Sequence, residues 1–166
     1  ALAETSTRYI YKLNIDASFF EDGSGAAAAI LRTSRGEAVA GISELIDNTI
    51  SPQAAEAIAL RSGLKLVDRL GCRNVQIESD CLELVQACNE DSEIWRPHSA
   101  ILADCFLLAH NIPGINFEHC LREANGVAHF LARRCYDSKI CEDWVDITPA
   151  FLLPLVLHDV TLPQIE

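Results

Sequence analysis

Lys12-Leu-Asn-Ile-Asp16-Ala-Ser-Phe19 alternates apolar and polar residues and sets a carboxylate near its end. At period two, Tyr9, Tyr11, Leu13, Ile15, Ala17 and Phe19 share one face while Lys12, Asn14, Asp16 and Ser18 share the other. That pattern predicts a half-buried strand with its polar side toward water. Turn residues at 21–25 and 33–36 separate it from two further apolar runs, 26–32 and 37–45, so the opening third of the chain reads as an antiparallel meander. Ser51-Pro52 then supplies an N-cap and a first-turn proline for a helix that runs to Leu70 and stops at Gly71.

A short strand over 74–78, a helix over 81–88, a looser polar segment over 89–97 and an amphipathic helix over 99–110 follow. In the last of these, Ile101, Leu102, Cys105, Phe106, Leu108 and Ala109 fall on one side. Alternation of Ile115, Phe117, His119 and Leu121 predicts a fifth strand, and a turn at 123–126 leads to a helix over 127–136. The order βββαβααβα brings strand 4 parallel to strand 1 through a crossover and gives a mixed sheet with helices packed on it. On this reading residues 9–136 form one domain, and 137–166 an irregular acidic tail that packs on the domain or on a partner, its prolines arguing against a regular helix.

Composition bounds the chemistry. With 166 residues, 49% of them hydrophobic, the chain has enough core for one domain. Lys+Arg 13 against Asp+Glu 24 gives a net charge of -11, which excludes binding of nucleic acid by bulk phosphate neutralisation and leaves local or metal-bridged contact. Seven cysteines without a Cys-x-x-Cys pair point away from zinc and disulfides and toward a reducing, intracellular compartment, cytoplasm or nucleus. No apolar run is long enough to cross a bilayer, and the start at Ala1 without a signal pattern suggests an excised domain.

On the long helix, a step of about 100° per residue puts Leu60, Gly63, Leu64, Val67 and Leu70 in one apolar arc with Glu56 in its middle. A carboxylate on the inward side of a helix needs a cation, a donor network or a metal. Asp80 follows strand 4 and, with Glu83 three residues on, also fits a capping box with aspartate as N-cap. Beyond the carboxyl end of a strand it equally sits where open sheets place their sites. Asp16, Glu56 and Asp80 together are the oxygen donors that hard divalent cations take.

Four motifs stand in order: Asn14-Ile-Asp16-Ala-Ser18, Ala55-Glu56-Ala57, Glu78-Ser79-Asp80-Cys81 and Arg122-Glu-Ala-Asn125-Gly-Val-Ala-His129-Phe-Leu-Ala132. Through them the chain resembles the ribonuclease H-like superfamily, most closely the plant reverse-transcriptase-like branch of type 1 ribonuclease H. The resemblance implies a five-stranded mixed sheet in the order 3-2-1-4-5 with helices on both faces, an α/β fold. It implies two magnesium ions held by Asp16, Glu56, Asp80 and a fourth carboxylate, with Asp16 between them, and hydrolysis of RNA in RNA-DNA hybrids. Nucleic-acid contacts from Ser18, Arg122 and Asn125 are implied as well.

His129 stands where that family has its last aspartate. Magnesium prefers oxygen, whereas imidazole suits manganese and later transition metals. Two readings follow: a metal-dependent hybrid nuclease with Asp16, Glu56, Asp80 and His129 at its centre, weakened by the histidine, or a catalytically inactive pseudonuclease serving as an interaction or scaffold module. His119, alternating with Phe117 and Leu121, reads as a sheet-surface histidine rather than a base, and Arg133 and Arg134 as a solvated face.

Overall fold

The computed structural model describes residues 9–90 and 99–161, so the polar segment expected over 89–97 lies outside the described residues from position 91 on. Strand β1 (Tyr11–Phe19) pairs antiparallel with β2 (Gly25–Thr33), which pairs antiparallel with β3 (Ala38–Ile46). Helix α1 (Pro52–Leu70) starts where the Ser51 hydroxyl accepts the Ala54 N–H at 3.1 Å and ends at Gly71 in the left-handed region, φ 67°. It returns the chain to β4 (Val75–Ser79), parallel to β1 with Asn14 opposite Glu78. Then come α2 (Leu82–Asn89), α3 (Ser99–His110), β5 (Asn116–His119) parallel to β4, and a 3-10 turn (Arg122–Asn125) that opens into α4 (Gly126–Ser138). In α3, Leu102 and Cys105 are buried as expected, while Phe106 is 40% exposed.

The sheet has six strands rather than five, in the order β5-β4-β1-β2-β3-β6. The sixth, β6 (Asp143–Val145), comes from the segment expected to be irregular and pairs antiparallel with β3, Trp144 opposite Gly41. Two of its features hid it from the sequence: it is three residues long, and its neighbours are acidic. A side chain at Gly41 would lie 2.6 Å from the Trp144 ring, so glycine is what lets the indole lie against β3. Arg69, at the end of α1, holds Asp143 through paired contacts of 2.7 and 2.9 Å. The chain then forms α5 (Leu153–Thr161), a regular helix despite Pro154. Pro154 is its second residue, where no intrahelical N–H donor is required, so the expected veto on a helix does not apply.

Two apolar layers cover the sheet. On one face Leu13, Ile15, Ala27, Ala29 and Leu31 pack against α1, which α3 covers in turn; on the other Ala28 and Ile30 pack against Val127, Leu131, Leu152 and Val156 of the C-terminal third. Gly63 lets α1 approach closely, because a methyl there would stand 2.8 Å from Leu13 and 3.2 Å from Ala29. The half-buried reading of β1 is therefore corrected. Asn14, Asp16 and Ser18 are buried too, since Asp16 pairs with Ala28 on the face that α4 covers. Among the described residues, no helix is long and apolar enough to cross a membrane.

Candidate metal centre

Pairing between β1 and β4 ends at Asn14 and Glu78, so the two parallel strands are no longer bonded at their carboxyl ends, where open sheets place their sites. Asp16 lies two residues past the last pair, Asp80 directly after β4, and Glu56 reaches in from the inward side of α1, between buried Ala55, Ala59 and Leu60. Each of the three offers a carboxylate oxygen, and those oxygens lie within 4.8 Å of one another. No other such group of three histidine, cysteine or acidic side chains occurs among the described residues.

The centre is anionic and largely buried. Burial, then the Asp16 and Asp80 charges, holds the Glu56 carboxyl well above the usual carboxylate range. Burial and Asp80 also raise Asp16, against the opposing effect of His129. Glu56 Oε2 is buried and has no hydrogen-bond partner. An oxygen in that condition, in a ring of carboxylates, fits a hard divalent cation, which binds oxygen and offsets the repulsion that accumulates here.

Asp80 is free for this role because the capping box expected at α2 does not form. The helix starts one residue later than expected, at Leu82 with Cys81 as its N-cap, and the Ser79 hydroxyl accepts the Cys81 N–H at 3.1 Å. Arg122 stands beside Asp80, Nε 3.6 Å from Oδ2, and is 85% exposed. His119 lies on the exposed sheet surface with Nε2 3.3 Å from the Asp80 carbonyl oxygen.

His129, one turn into α4, places Nδ1 2.9 Å from Asp16 Oδ2, with its side chain 57% exposed. The structure thus brings Asp16, Glu56, Asp80 and His129 to one place. The two residues expected at a nucleic-acid surface alongside Arg122 are placed differently. Ser18 is nearly buried on the face of β1 beneath α4. Asn125 is 1% exposed; its amide donates to the Ile15 carbonyl at 2.8 Å and accepts from Asn14 at 3.2 Å. Where β4 no longer pairs with β1, Asn125 takes up the free strand carbonyl and ties the start of α4 to Asp16's strand.

That tie belongs to a network the sequence reading missed. The Asn14 amide donates to Glu78 Oε2 at 3.1 Å, and Glu78 Oε1 receives Gln76 at 3.0 Å and pairs with Lys12 at 3.0 Å. The signal was present in the alternation that puts Lys12, Asn14 and Asp16 on one face. What it lacked was the register that sets Glu78 opposite Asn14.

A sequence profile of the reverse transcriptase-like family matches residues 14–135, from the first strand of the centre into the last turn of the helix bearing His129. No curated protein matches the chain in sequence. Among solved structures, the N-terminal RNase H domain of a Mycobacterium tuberculosis protein superposes with a TM-score of 0.69 at 19% identity, over 77% of this chain and 94% of that one. RNase H1 from the halophilic archaeon Halobacterium salinarum gives 0.71 at 18%, over 77% and 98%. LC11-RNase H1, isolated from compost and solved with an RNA/DNA hybrid, gives 0.68 at 17%, over 78% and 98%. At these identities the likeness is one of fold.

Proposed function

Since this chain belongs to the reverse transcriptase-like family, within the ribonuclease H-like superfamily, we propose that it acts on RNA-DNA hybrids as a divalent-metal-dependent nuclease of low activity in magnesium. One observation carries the reading: three carboxylates from β1, α1 and the exit of β4 converge within 4.8 Å, and one of their oxygens, Glu56 Oε2, is buried without a partner. Asp16, Glu56 and Asp80 would hold the cation, magnesium or manganese. A bound cation at such a centre polarises a phosphoryl oxygen and lowers the pKa of a bound water.

The chain's own residues do the rest. Arg122, exposed beside Asp80, would orient a phosphate arriving at the centre. Asn125 fixes the start of α4 to the Ile15 carbonyl, which sets the distance between His129 and Asp16. His129 brings no negative charge to the centre and engages Asp16 directly, so the charge available to a cation is lower than a fourth carboxylate would supply. The same contact favours a second reading, a nucleic-acid-binding or scaffold module that does not cleave.

Cleavage of a fluorescent RNA-DNA hybrid by the purified chain, first in magnesium and then in manganese, separates the two, with Asp16→Asn as control. The nuclease reading expects slow cleavage in magnesium, faster in manganese and none in the variant. Cleavage that survives Asp16→Asn, or no cleavage in either metal, overturns it, and the second outcome establishes the non-cleaving module.

A further inference from the structure

We propose that the centre is mononuclear: His129 occupies the Asp16 oxygen that a second cation would need, so the chain takes one divalent cation. The inference rests on the metal-binding reading above. A carboxylate that joins two cations must present an oxygen to each. Asp16 Oδ2 faces the His129 Nδ1 at 2.9 Å, and the Asp16 carboxylate also receives the Ala17 backbone N–H. With its side chain only 5% exposed, Asp16 has little room to turn, and its carboxylate lies within 4.8 Å of oxygens of Glu56 and Asp80.

The backbone that carries His129 is fixed as well. The residue lies on the helix whose Val127, Ala128 and Leu131 are buried against β2, and whose preceding residue Asn125 is anchored to the Ile15 carbonyl. A second cation would have to break the imidazole–carboxylate bond, which makes its affinity roughly ten- to a hundredfold weaker than that of the first.

Charge balance points the same way. Three carboxylates with the Arg122 guanidinium 3.6 Å from Asp80 Oδ2 carry a net charge that one dication neutralises and two would exceed. Substituting the histidine by aspartate frees Oδ2, adds an anionic oxygen on the same side, and supplies what a second cation lacks.

The test is the number of manganese ions bound per chain, measured by isothermal titration and equilibrium dialysis on the metal-free protein, with electron paramagnetic resonance to detect spin-coupled pairs. The wild type should bind one ion and give an uncoupled spectrum. His129→Asp should bind two and give a coupled one, while His129→Gln, whose amide still donates to Asp16, should stay at one. Circular dichroism and thermal melting verify that each variant is folded. Two ions in the wild type at comparable affinity, or one in His129→Asp, overturns the mononuclear assignment and leaves the hybrid-nuclease reading standing. No ion in the wild type overturns both.

Discussion

Replacing Glu56 by glutamine should make the metal-free protein more stable, the opposite of what a buried polar substitution usually does. Glu56 Oε2 is buried with no partner, in a group whose other members are carboxylates. Glutamine keeps the shape, removes one negative charge and brings an N–H donor for Asp16. An unsatisfied buried group costs about 1–3 kcal/mol, and for a chain of this size each kcal/mol moves the melting temperature by roughly 3 °C. The expected gain at neutral pH is therefore roughly 3–9 °C in differential scanning calorimetry with chelator present. Its pH dependence has a definite sign. The folded-state pKa of Glu56 is raised, so the native state holds a proton that the unfolded chain has released. Wild-type stability from this group is intact below the ordinary glutamate value of about 4.3 and is lost as pH climbs through the raised one. The two proteins should converge in acid and separate toward neutrality. Saturating manganese should invert the order, because a ligand at a hundred times its Kd stabilises the wild type by about 2.7 kcal/mol and the variant has lost a ligand. A metal-free Glu56→Gln protein that melts below the wild type at neutral pH would refute the claim that Glu56 Oε2 sits buried at a cost.

His129→Asp should raise magnesium-dependent hybrid cleavage on the order of tenfold, equivalent to about 1.4 kcal/mol of barrier; unchanged or lower steady-state rates would count against the histidine as the limiting feature. Asn125→Ala removes the donor to the buried Ile15 carbonyl and leaves the Asn14 amide with Glu78 alone, so urea unfolding should show a loss of about 1–3 kcal/mol. Leu152→Ala, at a fully buried position just before α5, should cost about 2–5 kcal/mol in the same experiment if the C-terminal segment is part of the domain's core.

What sequence could show followed the reach of local signals. Alternation in β1, the Ser51-Pro52 start and Gly71 stop of α1, and the apolar arc that exposed Glu56 as misplaced are written in neighbouring residues, and they located the meander, the crossover and the carboxylates. The sheet order 3-2-1-4-5 came from the resemblance and stands within the observed sheet. Features that depend on distant parts of the chain were hidden. The polar face of β1 looks solvated until α4 covers it. The three residues of β6 carry no period of their own, and only the space left at Gly41 identifies the partner of Trp144. Asp80 satisfied a capping pattern as well as a site, and the choice was made by Ser79, whose hydroxyl takes the Cys81 N–H. Asn125 was expected at a nucleic-acid surface from the resemblance, yet the open carbonyl of Ile15 draws it inside.

The most direct test is a crystal of the wild-type chain soaked in manganese, with anomalous diffraction recorded above the manganese edge. The account predicts one anomalous peak bonded to oxygens of Asp16, Glu56 and Asp80, with Glu56 Oε2 drawn to it and His129 still on Asp16. A centre without a peak at saturating manganese, its carboxylates hydrogen-bonded to one another or to protein donors, would contradict it.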